Sequence, residues 1–80
     1  MSRKIRPAFP THKVTLKSIN IPPPSRALEY LLAKFEDVTI TVDKQRISSI
    51  TITFHCTRDV YERIKLYFVR DMGRDFIWKD

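Results

Sequence analysis

The sequence predicts an α+β fold: one two-layer domain of order β-α-β-β-α, with two helices on one face of a three-stranded sheet. Three observations predict it. Segments 13–19, 37–42 and 47–56 alternate apolar and polar residues, the period of a half-buried strand. Segments 26–35 and 58–78 instead repeat their apolar residues at helical spacing. The chain has 80 residues, one domain's length, and a core that must be economical.

In "KVTLKSI", Val14, Leu16 and Ser18 fall on one side and Thr15, Lys17 and Ile19 on the other. The prolines of "IPPPS" end that strand, and Ser25 is the expected N-cap of a helix whose Ala27, Leu28, Leu31, Leu32 and Phe35 form its apolar face. "DVTITV" is the second strand and "DKQR" the turn. In the third strand, "ISSITITFHC", Ile50, Ile52, Phe54 and Cys56 share one face, and Ser49, Thr51, Thr53 and His55 share the other.

That alternation separates the adjacent His55 and Cys56, so they are not expected to act as base and nucleophile. The only other imidazole is His12, whereas a zinc site wants four ligands, or three if catalytic. No catalytic residue, metal or cofactor is therefore expected. The threonine-rich face also lacks the aromatic residues on which RNA-recognition sheets stack bases.

Thr57 fits as N-cap of the last helix, with Asp59 in its first turn. Val60, Tyr61, Ile64, Tyr67, Phe68, Met72 and Trp78 form one stripe if the helix continues to Trp78. Ending it at Gly73 would make "DFIW" a fourth strand in a ferredoxin-like order. The stripe favours a continuous helix, at about 1 kcal/mol for the glycine.

The net charge of +6 is unevenly placed. Residues 1–28 carry Arg3, Lys4, Arg6, Lys13, Lys17 and Arg26 with no acid, whereas residues 29–80 are balanced. Residues 1–12 read as a basic, proline-containing arm, and 13–80 as the domain. Arg3, Lys4, Arg6 and Lys13 are the candidate nucleic-acid contacts. A single cysteine forms no internal disulfide, no apolar run reaches the roughly 18 residues of a membrane span, and the N-terminus has no apolar signal core. A cytoplasmic protein without a membrane partner is expected.

The strand "KVTLKS", the prolines opening "PPPSRAL", and Thr57-Arg58-Asp59 followed by Arg63-Ile64, Tyr67-Phe68 and Trp78 resemble the DinI-like family of small bacterial and phage DNA-damage-response proteins over residues 13–80. The resemblance implies a non-enzymatic modulator that binds RecA on its single-stranded DNA filament during the SOS response. Family members carry an acidic ridge on the last helix. Here Leu66, Val69, Arg70, Gly73 and Phe76 occupy the corresponding places.

The outer side of that helix offers two other features. Arg63, Arg70 and Arg74 flank Tyr67 as a basic edge, and Leu66, Val69 and Phe76 form an apolar trio. Three partners follow: a RecA-DNA filament by resemblance, nucleic acid met directly by the arm and basic edge, or a second copy joined through the trio. An i,i+4 pair of Asp59 with Arg63 would instead make the arginines a solvated face.

Overall fold

The computed structural model describes residues 10–80. Its order is β1 (Thr11–Ser18), α1 (Pro24–Lys34), β2 (Thr39–Gln45), β3 (Ser49–His55), α2 (Arg58–Met72) and β4 (Phe76–Lys79). The α+β class and the two helices are as expected, but the sheet has four strands. They run antiparallel in the order β2-β3-β1-β4, the ferredoxin-like arrangement.

The fourth strand corrects the continuous helix. Gly73 ends α2, its N–H donating to the Val69 carbonyl at 3.1 Å, and Asp75 N–H then donates to Met72 O. A Cβ at position 73 would strike the Val69 carbonyl oxygen. Beyond the turn, period 2 governs: Phe76 and Trp78 face the core and Ile77 faces away, with Leu16 opposite Trp78 and Ser18 opposite Phe76. The helical wheel correctly drew Trp78 to the apolar side, but an alternating strand does so too. β4 also supplies hydrogen-bond partners to a β1 edge that a three-stranded sheet would leave open.

Other boundaries shift. β1 starts at Thr11, so Thr11 and His12 belong to the sheet rather than to an arm; Thr11 lies opposite His55, and Cys56 N–H donates to Pro10 O at 3.2 Å. α1 begins at Pro24, with Pro23 as N-cap and no side-chain cap, so Ser25 already lies within the helix. Proline suits the first helical position because its missing N–H has no intrahelical partner there. β2 continues through "DKQ", with a bulge between Val42 and Lys44, and the turn falls at residues 46–48. Thr57 caps α2 as expected, accepting from Val60 N–H at 3.4 Å.

Both helices cover one face of the sheet. Val14 and Leu16 of β1, Ile50, Ile52 and Phe54 of β3, Ala27 and Leu31 of α1, and Tyr61, Ile64 and Phe68 of α2 are buried. Leu32, expected in the core, is 49% exposed. Trp78 joins the layers, with its ring 5.4 Å from Phe68, 5.7 Å from Tyr61 and 5.8 Å from Phe54. Asp80 fastens this corner, accepting from Tyr61 Oη at 3.0 Å, Lys65 Nζ at 3.2 Å and Trp78 Nε1 at 3.3 Å. No helix of the described residues is long and apolar enough to cross a membrane.

Candidate functional site

With both helices on one side, no described element covers the other face of the sheet, and strand register fixes what it displays. Directly paired residues share a face, so rows can be read across the strands. The longest is Lys44–Thr51–Thr15–Lys79, spanning β2, β3, β1 and β4. On one side of it lie Thr41, Thr53 and Lys13, then Thr39, His55 and Thr11; on the other lie Ser49, Lys17 and Ile77. With strands about 4.8 Å apart, the two lysines of the long row stand at the edges of a strip about 14 Å wide.

The polar groups between them are partly tied to each other. Thr15 and Thr51 hydroxyls lie 3.0 Å apart, Thr41 Oγ1 is 2.8 Å from His55 Nε2, and the Thr53 hydroxyl donates to Asp43. Asp43 lies on this face and accepts from the Thr53 hydroxyl, and Glu36 and Asp37 border its Thr39–His55 end. Lys13, Lys17, Lys44 and Lys79 are exposed and make no ion pair among the described residues, and residues 1–9 contain no acid. The face is a threonine-lined surface on which four lysines, unpaired among the described residues, outnumber the one carboxylate, Asp43, that a facing threonine holds.

Of the residues singled out on the last helix, some meet and some do not. Tyr67 lies between two cations: Arg70 Cζ is 4.8 Å and Lys34 Nζ 5.1 Å from its ring centroid. Arg70 also pairs with Asp71 at 2.9 Å. That guanidinium, with the Tyr30 hydroxyl, holds the Asp71 carboxyl down at about 2. Arg63 is exposed; its expected pair with Asp59 is absent among the described contacts, and Arg58 pairs instead with Glu62 at 3.6 Å. Arg74 leaves the basic edge, because the helix ends before it. It lies in the turn to β4, where its carbonyl accepts from Asn20 Nδ2 at 3.0 Å.

The apolar trio is broken as well. Phe76 is 2% exposed and packs 6.1 Å from Phe68, whereas Leu66 (69%) and Val69 (49%) remain outside on α2. Arg3, Lys4 and Arg6 lie outside the described residues, and Lys13 stands on the open face. Lys34 was missed by sequence reasoning; its place in the last turn of α1 was the available signal, but only packing brings it over Tyr67.

His55 and Cys56 are separated as the alternation requires. His55 lies on the open face, while Cys56 is buried at 6% exposure, and desolvation pushes its thiol pKa up. No nucleophile-base pair forms from them. A cleft bounded by Lys34, Phe35, Thr39, Cys56, Val60 and Arg63 opens beside Cys56. No group of three or more potential metal-ligating side chains occurs among the described residues. Comparison with family models, curated proteins and solved structures gave no match.

Proposed function

We propose that this chain is a non-enzymatic binding module for a DNA-containing partner, and that the open face of the sheet meets the phosphates. The observation that carries this is the set Lys13, Lys17, Lys44 and Lys79 on one face that no described element covers, without an ion pair among the described residues and outnumbering Asp43. Lysines act here as point charges, and the intervening hydroxyls and His55 are further hydrogen-bonding groups for phosphate oxygens. The strands display no aromatic side chain on that face, so the recognition is of backbone rather than of stacked bases. Arg3, Lys4 and Arg6 extend the same charge along the chain.

The partner implied by the DinI-like resemblance is the RecA-DNA filament, and the β-α-β-β-α order of residues 11–72, with Thr57 as cap of α2, supports that reading. The strand position of Trp78 and the cationic α2 edge depart from it. Parallel pull-downs with RecA-coated single-stranded DNA, bare single-stranded DNA and duplex separate the two forms of the proposal. Capture by all three supports direct phosphate binding. Capture by the coated filament alone supports the RecA modulator and counts against the open face as a DNA surface. Capture by none refutes both.

A further inference from the structure

One end of the sheet carries exposed apolar side chains that the phosphate-facing surface does not use, although the two share Lys44. Ile21, in the β1–α1 loop, is 98% exposed, and Ile47, in the β2–β3 turn, is 99% exposed. Ser18 brings these loops together: its N–H donates to Ser48 O at 2.8 Å, beside Ile47, and its hydroxyl donates to Pro22 O at 2.7 Å, beside Ile21. Ile19, 49% exposed, donates its N–H to Asp75 O at 2.9 Å, and Asn20 Nδ2 bonds Arg74 O and Asp75 Oδ1, so the α2–β4 turn joins the same end. Arg46 adjoins Ile47 in sequence, the Arg74 carbonyl is bonded to Asn20 beside Ile21, and Lys44 precedes the β2–β3 turn; none of the three forms an ion pair among the described residues. The neighbouring carboxylates Asp75 and Asp43 accept from Asn20 and Thr53 and keep their charge, so the three cations exceed them by one.

We propose that this end docks on an anionic lipid bilayer, with Ile21 and Ile47 entering the headgroup–acyl boundary and Lys44, Arg46 and Arg74 meeting the lipid phosphates. Side chains this exposed touch almost nothing of their own chain; they protrude. A bilayer accepts several protruding tips at once without a matching shape, and anionic headgroups supply the charge that this end lacks. A second copy of this chain would bring the same three cations together, with only Asp43 and Asp75 to offset them. The hydrogen bonds through Ser18 and Asn20 hold the loops before contact, so little ordering is left for binding to impose. The expectation of no membrane partner rested on the absence of a spanning segment, a criterion that loop tips escape.

The test is sedimentation of the full chain with vesicles of phosphatidylcholine alone and of phosphatidylcholine mixed with phosphatidylglycerol. Binding to the anionic vesicles is expected, and Ile21→Ser with Ile47→Ser should lower the partition by about a hundredfold, roughly tenfold for each side chain. Arg46→Gln with Arg74→Gln should lower it by about twenty-five-fold, roughly fivefold for each charge. The serine variant should keep its fold by circular dichroism and its affinity for duplex DNA. The proposal is overturned if the native chain ignores anionic vesicles. It is equally overturned if the serine variant sediments like the native chain, since attraction would then come from the sheet-face charges alone, or if it loses DNA binding while keeping vesicles.

Discussion

Replacing Phe76 by alanine tests the fourth strand. Phe76 is 2% exposed, and its ring stands 6.1 Å from that of Phe68 beneath the β1–β4 pairing. Truncating a buried phenylalanine costs about 3–5 kcal/mol, through lost transfer energy and the cavity left behind. A chain of 80 residues has about 4–12 kcal/mol to lose. With a urea dependence of about 1.5 kcal/mol/M, the midpoint should fall by about 2–3 M, and a marginal variant will be unfolded without denaturant. Leu66→Ser is the internal control, since Leu66 is 69% exposed on α2 and its loss should stay within about 0.5 kcal/mol. Had α2 continued through Gly73, Phe76 would lie on its outer side and the two variants would behave alike. A loss below about 1 kcal/mol for Phe76→Ala would falsify the docked strand.

Cys56 should resist a thiol reagent in the folded protein and react on unfolding, because it is buried and its pKa is raised by desolvation; rapid modification under native conditions would contradict the β3 register. Tyr30 and Tyr61 have pKa values pushed up to about 12, first by burial; Asp71 adds to the shift of Tyr30, and Asp80 raises that of Tyr61 against the opposing Trp78 hydrogen bond. Their contribution to stability is therefore complete below pH about 10 and lost as pH rises toward about 12. Tyrosinate absorbance and circular dichroism should move together in that window, and tyrosines all ionising near pH 10 in a folded chain would refute it. Deleting residues 1–11 should lower the melting temperature by about 4–8 °C per kcal/mol lost, since it removes the Pro10 carbonyl that accepts from Cys56 and the Thr11 opposite His55. An unchanged melting temperature would place the start of the sheet after Thr11.

The strands and helices read most clearly from sequence were those whose faces differ. Ile50, Ile52, Phe54 and Cys56 alternate with Ser49, Thr51, Thr53 and His55, and the structure buries the first set and not the second. The C-terminal segment failed because two periods fit it. Trp78 lies on the apolar side under a helical period of 3.6, while Phe76 and Trp78 share a face under a period of 2. The tie is broken by what no local window contains, the open edge of β1. The same error removed Arg74 from the basic edge and made Phe76 look exposed. The face residues Thr15, Lys17, Thr51, Thr53 and His55 were legible, but the row completed by Lys44 and Lys79 was not. Lys44 reaches it through a bulge and Lys79 through a strand the sequence did not predict. The isoleucine-bearing end depends on Ser18 binding to residues 22 and 48, contacts invisible to any periodicity.

The salt dependence of duplex binding tests most directly the proposal that the sheet faces phosphates. Each phosphate neutralised contributes a slope of about −0.9 to log K against log salt, so Lys13, Lys17, Lys44 and Lys79 together contribute about −3.6, or about a 150-fold loss of affinity between 50 and 200 mM. Fluorescence anisotropy with a labelled duplex should show that slope shallower by about 3.6 in the variant with all four lysines replaced by glutamine. The fold should persist, since these side chains are exposed and no ion pair among the described residues includes them. The variant Lys34→Gln with Arg63→Gln, on the helical side, should retain the native slope. The account is contradicted if the four-lysine variant keeps the native slope, or if the helical-side variant is the one that loses it.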